Sequence, residues 1–322
     1  MKIVAVDIGG THARFALAEV SAGKVLHLGE PVTLKTAEHA SFQTAWEDFG
    51  RLMQTPLPTA AGIAIACPVG GDVLKLTNNP WIIRPALIAE KLGVDQYSLV
   101  NDFGAVGHAV AQMPGDDFQH LCGPDVPLPE RGTISIIGPG TGLGVAHILR
   151  FAGDYHVNAT EGGHIDFAPL DALEDALLAR LRERYRRVSV ERIVSGPGLV
   201  EIYEALAAIE GRAVQSLDDQ TLWALGLSGG DSLASAAIDR FCLSLGSVAG
   251  DIALAQGGAA VVIAGGLGLR ISDTLARSGF AGRFAAKGRF EAMMNAIPVK
   301  LITHPQPGLF GAAAAFAKEH TQ

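Results

Sequence analysis

Two segments of this 322-residue chain share one pattern, and that pattern limits the folds available to it. In each, an apolar run enters a glycine-rich turn that contains a threonine, and a second apolar run leaves the turn. The first copy spans residues 2–20 with the turn GGT, and the second spans residues 133–149 with the turn GPGTGLG. Short apolar runs of this kind are typical of buried strands. This weak repeat predicts two similar halves that face a common ligand.

Strand-like runs alternate with helix-like runs along the rest of the chain, which indicates an α/β protein. Further strands are expected at 62–66, 97–101, 260–266 and 299–303, and helices at 42–54, 172–185, around 191–207, 233–255 and 308–320. The segment 113–118 is rich in Pro, Gly and Asp and predicts a domain boundary. The sequence permits the final helix to pack against the first half.

Charge and cysteine content exclude several classes of protein. The net charge of −8 argues against broad binding to nucleic acid or anionic membranes, because both need a basic surface. Cys67, Cys122 and Cys242 are widely separated, so neither a zinc ribbon nor a disulfide framework is indicated. The N-terminal apolar run reaches Asp7 too early for a signal peptide, and the long apolar stretch 252–269 is broken by glycines. We therefore expect a cytoplasmic protein.

The two glycine-rich turns have the composition of phosphate-binding loops. Glycine lets backbone N–H groups approach a phosphate closely, and a threonine hydroxyl adds a donor. GGT alone is equally consistent with a tight hairpin turn, but two such turns together favour phosphate binding. Neither GxGxxG opening a helix nor GxxxxGK[ST] fits well, which disfavours hydride-transfer and P-loop enzymes. The expected phosphate-binding residues are Gly9, Gly10, Thr11, Gly138, Gly140, Thr141 and Gly142.

An acid precedes the first turn, and a third glycine pair follows a later strand. Asp7 would repel a phosphate unless a cation lies between them, so we expect it to hold Mg²⁺, often through water. An Asx turn that caps the hairpin is the alternative. Gly265 and Gly266 end the run AVVIA and predict a place where adenine or ribose lies against the backbone. A plain strand-to-helix turn is the alternative there.

A second group of polar residues has the chemistry that sugar hydroxyls require. Asn101 and Asp102 end a strand at its carboxyl end, where α/β proteins usually bind ligands. Asp102, near a helix N-terminus, is suited to accept a proton from a hydroxyl, and a helix N-cap is the alternative for it. Carboxylates, amides and imidazole bind groups that both donate and accept. The further candidates are Asn78, Glu161, His164 and Glu191, of which Glu191 is expected on a helix.

Two features have competing interpretations. A metal site of Glu161, His164 and Asp166 is disfavoured, because its ligands are few and no second histidine lies nearby in sequence. The segment 178–187 holds five arginines, and we interpret it as a solvated helix face relieved by Glu183. A contact between subunits is the main alternative.

With these motifs in place, the chain resembles the bacterial glucokinase family, of the actin–hexokinase–heat-shock ATPase superfamily. VDIGGTHAR looks like the first phosphate motif of that family, GPGTGLG like the second and AGG like the adenosine motif. The sugar-binding motifs of the family are similar, in order and spacing, to segments 100–103, 161–169 and 189–199. The resemblance spans nearly the whole chain.

The resemblance implies a two-domain actin-like ATPase fold (ribonuclease H-like) with duplicated strand–turn–strand phosphate motifs. The smaller domain would comprise 1–112 plus 303–322, and the larger 113–302. The implied activity is transfer of the γ-phosphoryl group of ATP to the 6-hydroxyl of D-glucose with Mg²⁺. This reaction gives glucose 6-phosphate and ADP and is the entry step of glycolysis. Domain closure over glucose and ATP and a homodimer formed through the second domain are also implied.

The resemblance also implies a role for individual residues. Asp102 would be the catalytic base. The glucose hydroxyls would be held by Asn101, Glu161, His164 and Glu191. His12 stands where the first motif often has Asn, and Pro139 where the second often has Ala. Because proline lacks an N–H, we expect either looser nucleotide binding or an altered phosphoryl donor.

Other functions stay open at this point. A nucleotide-operated binding module of the actin or chaperone type would share the turns but have no use for the NDF and EGGH groups. A sugar sensor would bind glucose without turnover, and Asp7, Asp102 and both turns argue against it. Among kinases, mannose, fructose or an amino sugar is the alternative substrate. Sugar kinases and repressors with a cysteine-rich zinc signature are disfavoured, because clustered cysteines are missing.

Overall fold

The computed structural model divides into two compact units. It describes residues 1–76, 79–213 and 215–321. Unit 1 comprises Met1–Pro114, Val157–Ala159 and the chain from His304 onward, and unit 2 comprises Gly115–His156 and Thr160–Thr303. Asn78, an expected sugar ligand, lies outside the described residues. Within the described part of the chain, no helix has the length and apolarity needed to cross a membrane.

Unit 1 is built on a mixed sheet. Its strands are β1 (Lys2–Ile8), β2 (His12–Ser21), β3 (Lys24–Leu28), β4 (Val32–Lys35), β5 (Ala60–Ile65), β6 (Leu74–Lys75), β7 (Ile82–Ile83) and β8 (Gln96–Asn101). Its helices are α1 (Phe42–Met53), α2 (Ile88–Leu92), α3 (Asp102–Gln112) and α12 (Pro307–His320). The sheet has the order β3-β2-β1-β5-β8, with β4 also paired to β2, and β6 pairs with β7 separately.

The central strands and the last helix of unit 1 pack at close range. All six residues of β5 are buried, as expected for a strand with parallel neighbours on both sides. A Cβ at Gly62 of β5 would lie 2.2 Å from the carbonyl oxygen of Ala312 in α12. A Cβ at Gly311 would lie 1.8 Å from the carbonyl oxygen of Ala105 in α3. The small residues of α12 therefore let its backbone approach both the sheet and α3.

Unit 2 is built on a second mixed sheet, flanked by most of the helices. Its strands are β9 (Phe118–Cys122), β10 (Gly132–Pro139), β11 (Leu143–Phe151), β12 (Asp154–Thr160, which includes the segment grouped with unit 1), β13 (Gly258–Ile263) and β14 (Val299–Ile302). Its helices are α4 (Ala172–Arg184), α5 (Gly198–Ile209), α6 (Asp219–Ser228), α7 (Ser232–Gln256), α8 (Gly265–Arg270), α9 (Ser272–Arg277), α10 (Phe280–Ala285) and α11 (Glu291–Asn295). The strand order is β12-β11-β10-β13-β14-β9.

The two sheets share a pattern of strand pairing. In unit 1, β1 and β2 form an antiparallel hairpin, and β5 and β8 continue from β1 as parallel strands. In unit 2, β10 and β11 form the hairpin, and β13 and β14 continue from β10 in parallel. A glycine-rich turn connects the strands of each hairpin.

A buried ion-pair network connects three helices of unit 2. The carboxylate of Glu174, whose residue is 1% exposed, lies 3.1 Å from Arg240 and 3.3 Å from Arg283. Asp171 contacts both guanidinium groups and also caps the N-terminus of α4 through the amide of Glu174. Because each arginine faces two carboxylates, the charges of this network are compensated inside the protein.

One expected helix begins later than the sequence suggested. The region around 191–207 is helical only from Gly198, and Glu191 lies in the 3₁₀ turn Val190–Arg192 rather than on an α-helix. The intervening segment SGPG packs against other backbone instead. The Gly196 amide donates to the carbonyl of Gly140 at 2.7 Å, and a Cβ at Gly198 would lie 2.3 Å from the carbonyl of Ile193. These close approaches require glycine and prevent an earlier helix start.

Candidate active site

The turn between β1 and β2 (residues 9–11) presents backbone N–H groups, because each of its carbonyl groups accepts a hydrogen bond from elsewhere in unit 1. The Asn79 side-chain amide donates to the Gly9 carbonyl at 3.2 Å, and the Thr36 hydroxyl donates to the Gly10 carbonyl at 3.0 Å. The Thr36 amide donates to the Thr11 carbonyl, also at 3.0 Å. Among the residues that the structure describes, none accepts a hydrogen bond from the amide of Gly10 or Thr11. These two N–H groups are therefore suited to an anionic ligand.

Sequence reasoning missed both residues that hold this turn. Thr36 and Asn79 are 2% and 8% exposed, so they act from inside unit 1. The segment LTNNPW had indicated an amide near an aromatic residue, and Asn79 also accepts a hydrogen bond from the amide of Trp81 at 2.9 Å. Nothing in the sequence around Thr36 distinguishes it from an ordinary loop threonine.

His12, which departs from the resembled motif, contacts the turn threonine. Its Nδ1 lies 3.0 Å from the hydroxyl oxygen of Thr11. The imidazole thus gives the Thr11 side chain a fixed partner at the tip of the hairpin.

Asp7 is the penultimate residue of β1, and Ile8 separates it from the turn. Its Oδ2 lies 3.3 Å from a guanidinium nitrogen of Arg14, its cross-strand neighbour. Burial raises the pKa of the Asp7 carboxyl, and Arg14 opposes that rise. A Cβ at Gly308 would lie 3.0 Å from Oδ2, so the start of α12 lies directly against this carboxylate.

The Asp7 carboxylate suits a magnesium ion whose other ligands are water and the phosphates of a substrate. Within residues 1–76, 79–213 and 215–321, no three His, Cys, Asp or Glu side chains form a group that would hold a metal by themselves. Mg²⁺ in phosphoryl-transfer sites typically uses one or two carboxylates, water and the substrate phosphates. Oδ1 of Asp7 is not engaged by Arg14, and it fits that single-carboxylate requirement.

Asn101 and Asp102 lie at the junction of β8 and α3. The N-cap is Asn101, whose Oδ1 accepts from the amides of Phe103 at 2.9 Å and Gly104 at 3.1 Å. Its Nδ2 donates to the Cys67 carbonyl at 3.3 Å. The interpretation of Asp102 as the N-cap is therefore wrong, because its neighbour has that role. Asp102 is the first residue of α3, and its carboxylate accepts from the Phe103 amide at 2.8 Å.

The strand register places the GGT turn and the Asn101–Asp102 pair at the same end of the unit 1 sheet. Ile65 at the end of β5 pairs with Ile8 of β1 on one side and with Asn101 of β8 on the other. Adjacent strands lie about 4.8 Å apart, so the carboxyl ends of β1 and β8 are roughly 10 Å apart. Asp7 and the GGT turn thus share an edge with Asp102.

In unit 2, the second turn closes the β10–β11 hairpin. Pro139 pairs with Leu143, and the amide of Gly140 donates to the carbonyl of Gly142 at 2.8 Å. The AGG segment lies against this turn, because a Cβ at Gly265 would be 2.7 Å from the Pro139 carbonyl. Gly265 has φ +84° and begins α8, so the segment is also a strand-to-helix turn.

The EGGH segment packs on the start of β11, beside the second turn. A Cβ at Gly163 would lie 2.2 Å from the carbonyl oxygen of Leu143. His164 Nε2 lies 3.9 Å from the Glu161 carboxylate, and both side chains are more than half exposed. Arg187 donates to the carbonyl of His164 at 2.5 Å and pairs with Asp166 at 2.6 Å.

Glu191 also lies beside the second turn, although it belongs to a different segment of the chain. The Val190 amide donates to the Ile165 carbonyl at 2.9 Å, which places this 3₁₀ turn beside the EGGH segment. Glu191 Oε2 accepts from the Leu143 amide at 2.9 Å. Unit 2 thus brings Glu161, His164, Glu191 and the second turn together, and the bond from Glu191 to the turn was not expected from the sequence.

The arginine-rich segment is only partly a solvated face. Arg184 lies 2.7 Å from both Glu201 and Glu204 of α5, and Arg187 holds the EGGH segment as described. These partners come from other elements and not from Glu183, the neighbour that the sequence suggested. Two of the arginines therefore connect parts of unit 2.

Comparison with known proteins identifies the family. A statistical model of the family described as Glucokinase matches residues 4–319. The glucokinase of Zymomonas mobilis is 66% identical over 322 residues, which cover 100% of this chain and 99% of that protein. The chain belongs to the glucokinase family. It is accordingly a sugar kinase.

Solved structures agree with this assignment. The glucokinase from an Antarctic psychrotroph is 32% identical, with a TM-score of 0.86 over 98% of both chains. A glucokinase of the ROK family from Streptomyces griseus, solved with glucose and AMPPNP, is 17% identical with a TM-score of 0.62. That match covers 97% of this chain and 98% of the other, and it shows a shared fold.

Proposed function

We propose that Asp102 is the base in the transfer of the γ-phosphoryl group of ATP to the 6-hydroxyl of D-glucose. The observation that carries this proposal is the register of unit 1, which places Asp102 and the GGT turn at one sheet edge. The N-terminus of α3 favours the ionised form of Asp102, which is the form that accepts a proton. Asn101 caps α3 and keeps one side-chain N–H for a sugar hydroxyl.

The chemistry requires one proton transfer and one phosphoryl transfer. The Asp102 carboxylate takes the proton of the glucose 6-hydroxyl while the hydroxyl oxygen forms a bond to the γ-phosphorus. The bond between that phosphorus and the β,γ-bridging oxygen breaks, and ADP leaves with the electron pair. Catalysis of this kind rests on positioning and on charge stabilisation.

The remaining groups hold the two substrates. In unit 1, we assign phosphate oxygens to the amides of Gly10 and Thr11 and a Mg²⁺ ion to Asp7, while the Gly9 amide donates to the His12 carbonyl at 2.9 Å and closes the turn. When bound, Mg²⁺ neutralises charge on the phosphates. In unit 2, we assign phosphate to Gly138, Gly140, Thr141 and Gly142, and adenosine to Gly265 and Gly266. The glucose hydroxyls are assigned to Asn78, Glu161, His164 and Glu191 in addition to Asn101.

The finer architecture follows the same proposal. The shared pairing pattern of the two sheets supports a duplicated strand–turn–strand motif in an actin-like, ribonuclease H-like ATPase fold. We assign one domain to 1–112 plus 303–322 and the other to 113–302. A homodimer and a cytoplasmic location stay predictions from the family resemblance and the sequence.

An assay of ADP release over a panel of hexoses tests this function. Glucose with ATP is expected to give the highest kcat/KM, followed by mannose, fructose and amino sugars at lower values. Because Pro139 removes one amide from the second turn, other phosphoryl donors are tested as well. Polyphosphate or ADP replaces ATP in parallel reactions, and the formation of glucose 6-phosphate is measured. Turnover without sugar that equals turnover with glucose would contradict a kinase and favour a nucleotide-operated binding module.

Substitution of Thr36 by valine is expected to weaken the use of ATP. Valine keeps the shape and the backbone N–H but leaves the Gly10 carbonyl without its donor. Leaving a buried acceptor unpaired costs about 1–3 kcal/mol. If the turn shifts so that the Gly10 carbonyl finds another donor, the backbone amides of the turn no longer point towards the phosphate. We expect the KM for ATP to rise about fivefold, with the KM for glucose within twofold of wild type.

The control for this prediction is Thr36→Ser, which keeps the hydroxyl and should restore the KM for ATP. Thermal unfolding of both variants separates positioning from a loss of stability. An unchanged KM for ATP in Thr36→Val, with or without a lower Tm, would show that Thr36 is only structural.

A further inference from the structure

The Glu191 carboxylate lies in direct contact with the backbone of the second turn. Its Oε2 accepts the hydrogen bond from the Leu143 amide at 2.9 Å. A Cβ at Gly142 would lie 2.5 Å from the same oxygen, so only glycine leaves room for this contact. Glu191 Oε1 lies 4.0 Å from that position, and no described residue donates a hydrogen bond to it.

The chain around Glu191 is attached to the turn at a second point. The Gly196 amide donates to the Gly140 carbonyl at 2.7 Å, five residues after Glu191. Before Glu191, the Val190 amide holds the segment to Ile165 of the EGGH region at 2.9 Å. The position of the Glu191 carboxylate is therefore set by the second turn on one side and by the EGGH region on the other.

We infer that Glu191 couples sugar binding to the second phosphate turn. The inference rests on the proposed function, in which Glu191 binds a glucose hydroxyl and Gly142 belongs to a phosphate-binding turn. A carboxylate has about four lone-pair sites, so Oε1 can accept the sugar hydroxyl while Oε2 keeps the Leu143 amide. Glucose at Oε1 then fixes the turn in place, and the fixed turn orients the carboxylate for glucose. Such coupling between two binding sites is reciprocal.

The first test replaces a glycine of the phosphate turn and measures sugar binding without nucleotide. In Gly142→Ala the added methyl group displaces the Glu191 carboxylate, so we expect glucose to bind about 10-fold more weakly by titration calorimetry. The matched control is Gly140→Ala in the same turn, where an added Cβ meets nothing within 4 Å. Its glucose affinity should stay within twofold of wild type.

The second test reverses the direction and measures ADP binding without sugar. Glu191→Asp shortens the side chain and withdraws the acceptor from the Leu143 amide, so we expect ADP to bind about fivefold more weakly. The matched control is Glu161→Asp, another proposed sugar ligand, whose carboxylate faces His164 at 3.9 Å. Both variants should weaken glucose binding, but only Glu191→Asp should weaken ADP binding.

Equal glucose affinities for the two alanine variants, together with equal ADP affinities for the two aspartate variants, would overturn the coupling. If Gly142→Ala does not fold, the aspartate pair alone decides. A wild-type enzyme that neither binds nor phosphorylates glucose would contradict the proposed function instead. If the wild-type enzyme is active but the two variants of each matched pair bind the tested ligand equally, only the proposed coupling is contradicted.

Discussion

Asp102→Ala is expected to lose most of kcat while glucose binding stays within an order of magnitude of wild type. The substitution removes the only proton acceptor assigned to the 6-hydroxyl, and general-base assistance is typically worth about 10²–10⁴-fold. It leaves the cap of α3 intact, because Asn101 and not Asp102 supplies that cap. Steady-state kinetics give kcat, and calorimetry without nucleotide gives the affinity for glucose.

Asp102→Asn is the matched variant for this prediction. Its amide oxygen can still accept from the Phe103 amide, as the carboxylate does at 2.8 Å, but asparagine does not take up a proton. We expect a loss of kcat similar to that of Asp102→Ala, with an unchanged Tm. Near-normal turnover in either variant would show that another group is the base.

Gly311→Ala is expected to destabilise the enzyme strongly, although it only changes one hydrogen to a methyl group. The new Cβ would lie 1.8 Å from the Ala105 carbonyl oxygen and 2.4 Å from its carbon. Both are backbone atoms of α3, so α12 and α3 must separate. Overpacking of this kind costs about 3 kcal/mol, which corresponds to a fall in Tm of about 5 °C for a chain of 322 residues. Calorimetric melting measures the change.

Two glycine positions serve as controls for this effect. A Cβ at Gly107 would lie 2.5 Å from a methyl carbon of Val157, which is a side chain that can rotate away, so Gly107→Ala should cost clearly less. In Gly282→Ala the added Cβ meets nothing within 4 Å inside α10, and stability should rise slightly because alanine favours helix over glycine. A Gly311→Ala variant that melts with the wild type would show that the two helices are not in close contact.

Much of the local structure was predictable because it depends on neighbouring residues. Apolar runs beside glycine-rich turns led to β1, β2, β10 and β11, and the run 97–101 matches β8 nearly residue for residue. The helix expected around 191–207 was placed too early, because the close contacts of the SGPG segment come from residues distant in sequence. The strands β9 and β12 were not predicted, because β9 has only five residues and β12 (DYHVNAT) alternates polar and apolar residues without forming an apolar run.

The two glycine-rich turns, the α/β alternation and the polar motifs that indicate a sugar kinase can all be identified from the amino-acid sequence alone. These features follow from residue types and spacing, which set local conformation and available chemistry. The folded structure was needed to show that Thr36 and Asn79 bind the carbonyls of the first turn, and that Glu191 lies against Gly142 of the second. Hydrogen bonds between residues 26 to 70 positions apart depend on how strands pair and loops pack, and no spacing rule within one segment encodes them.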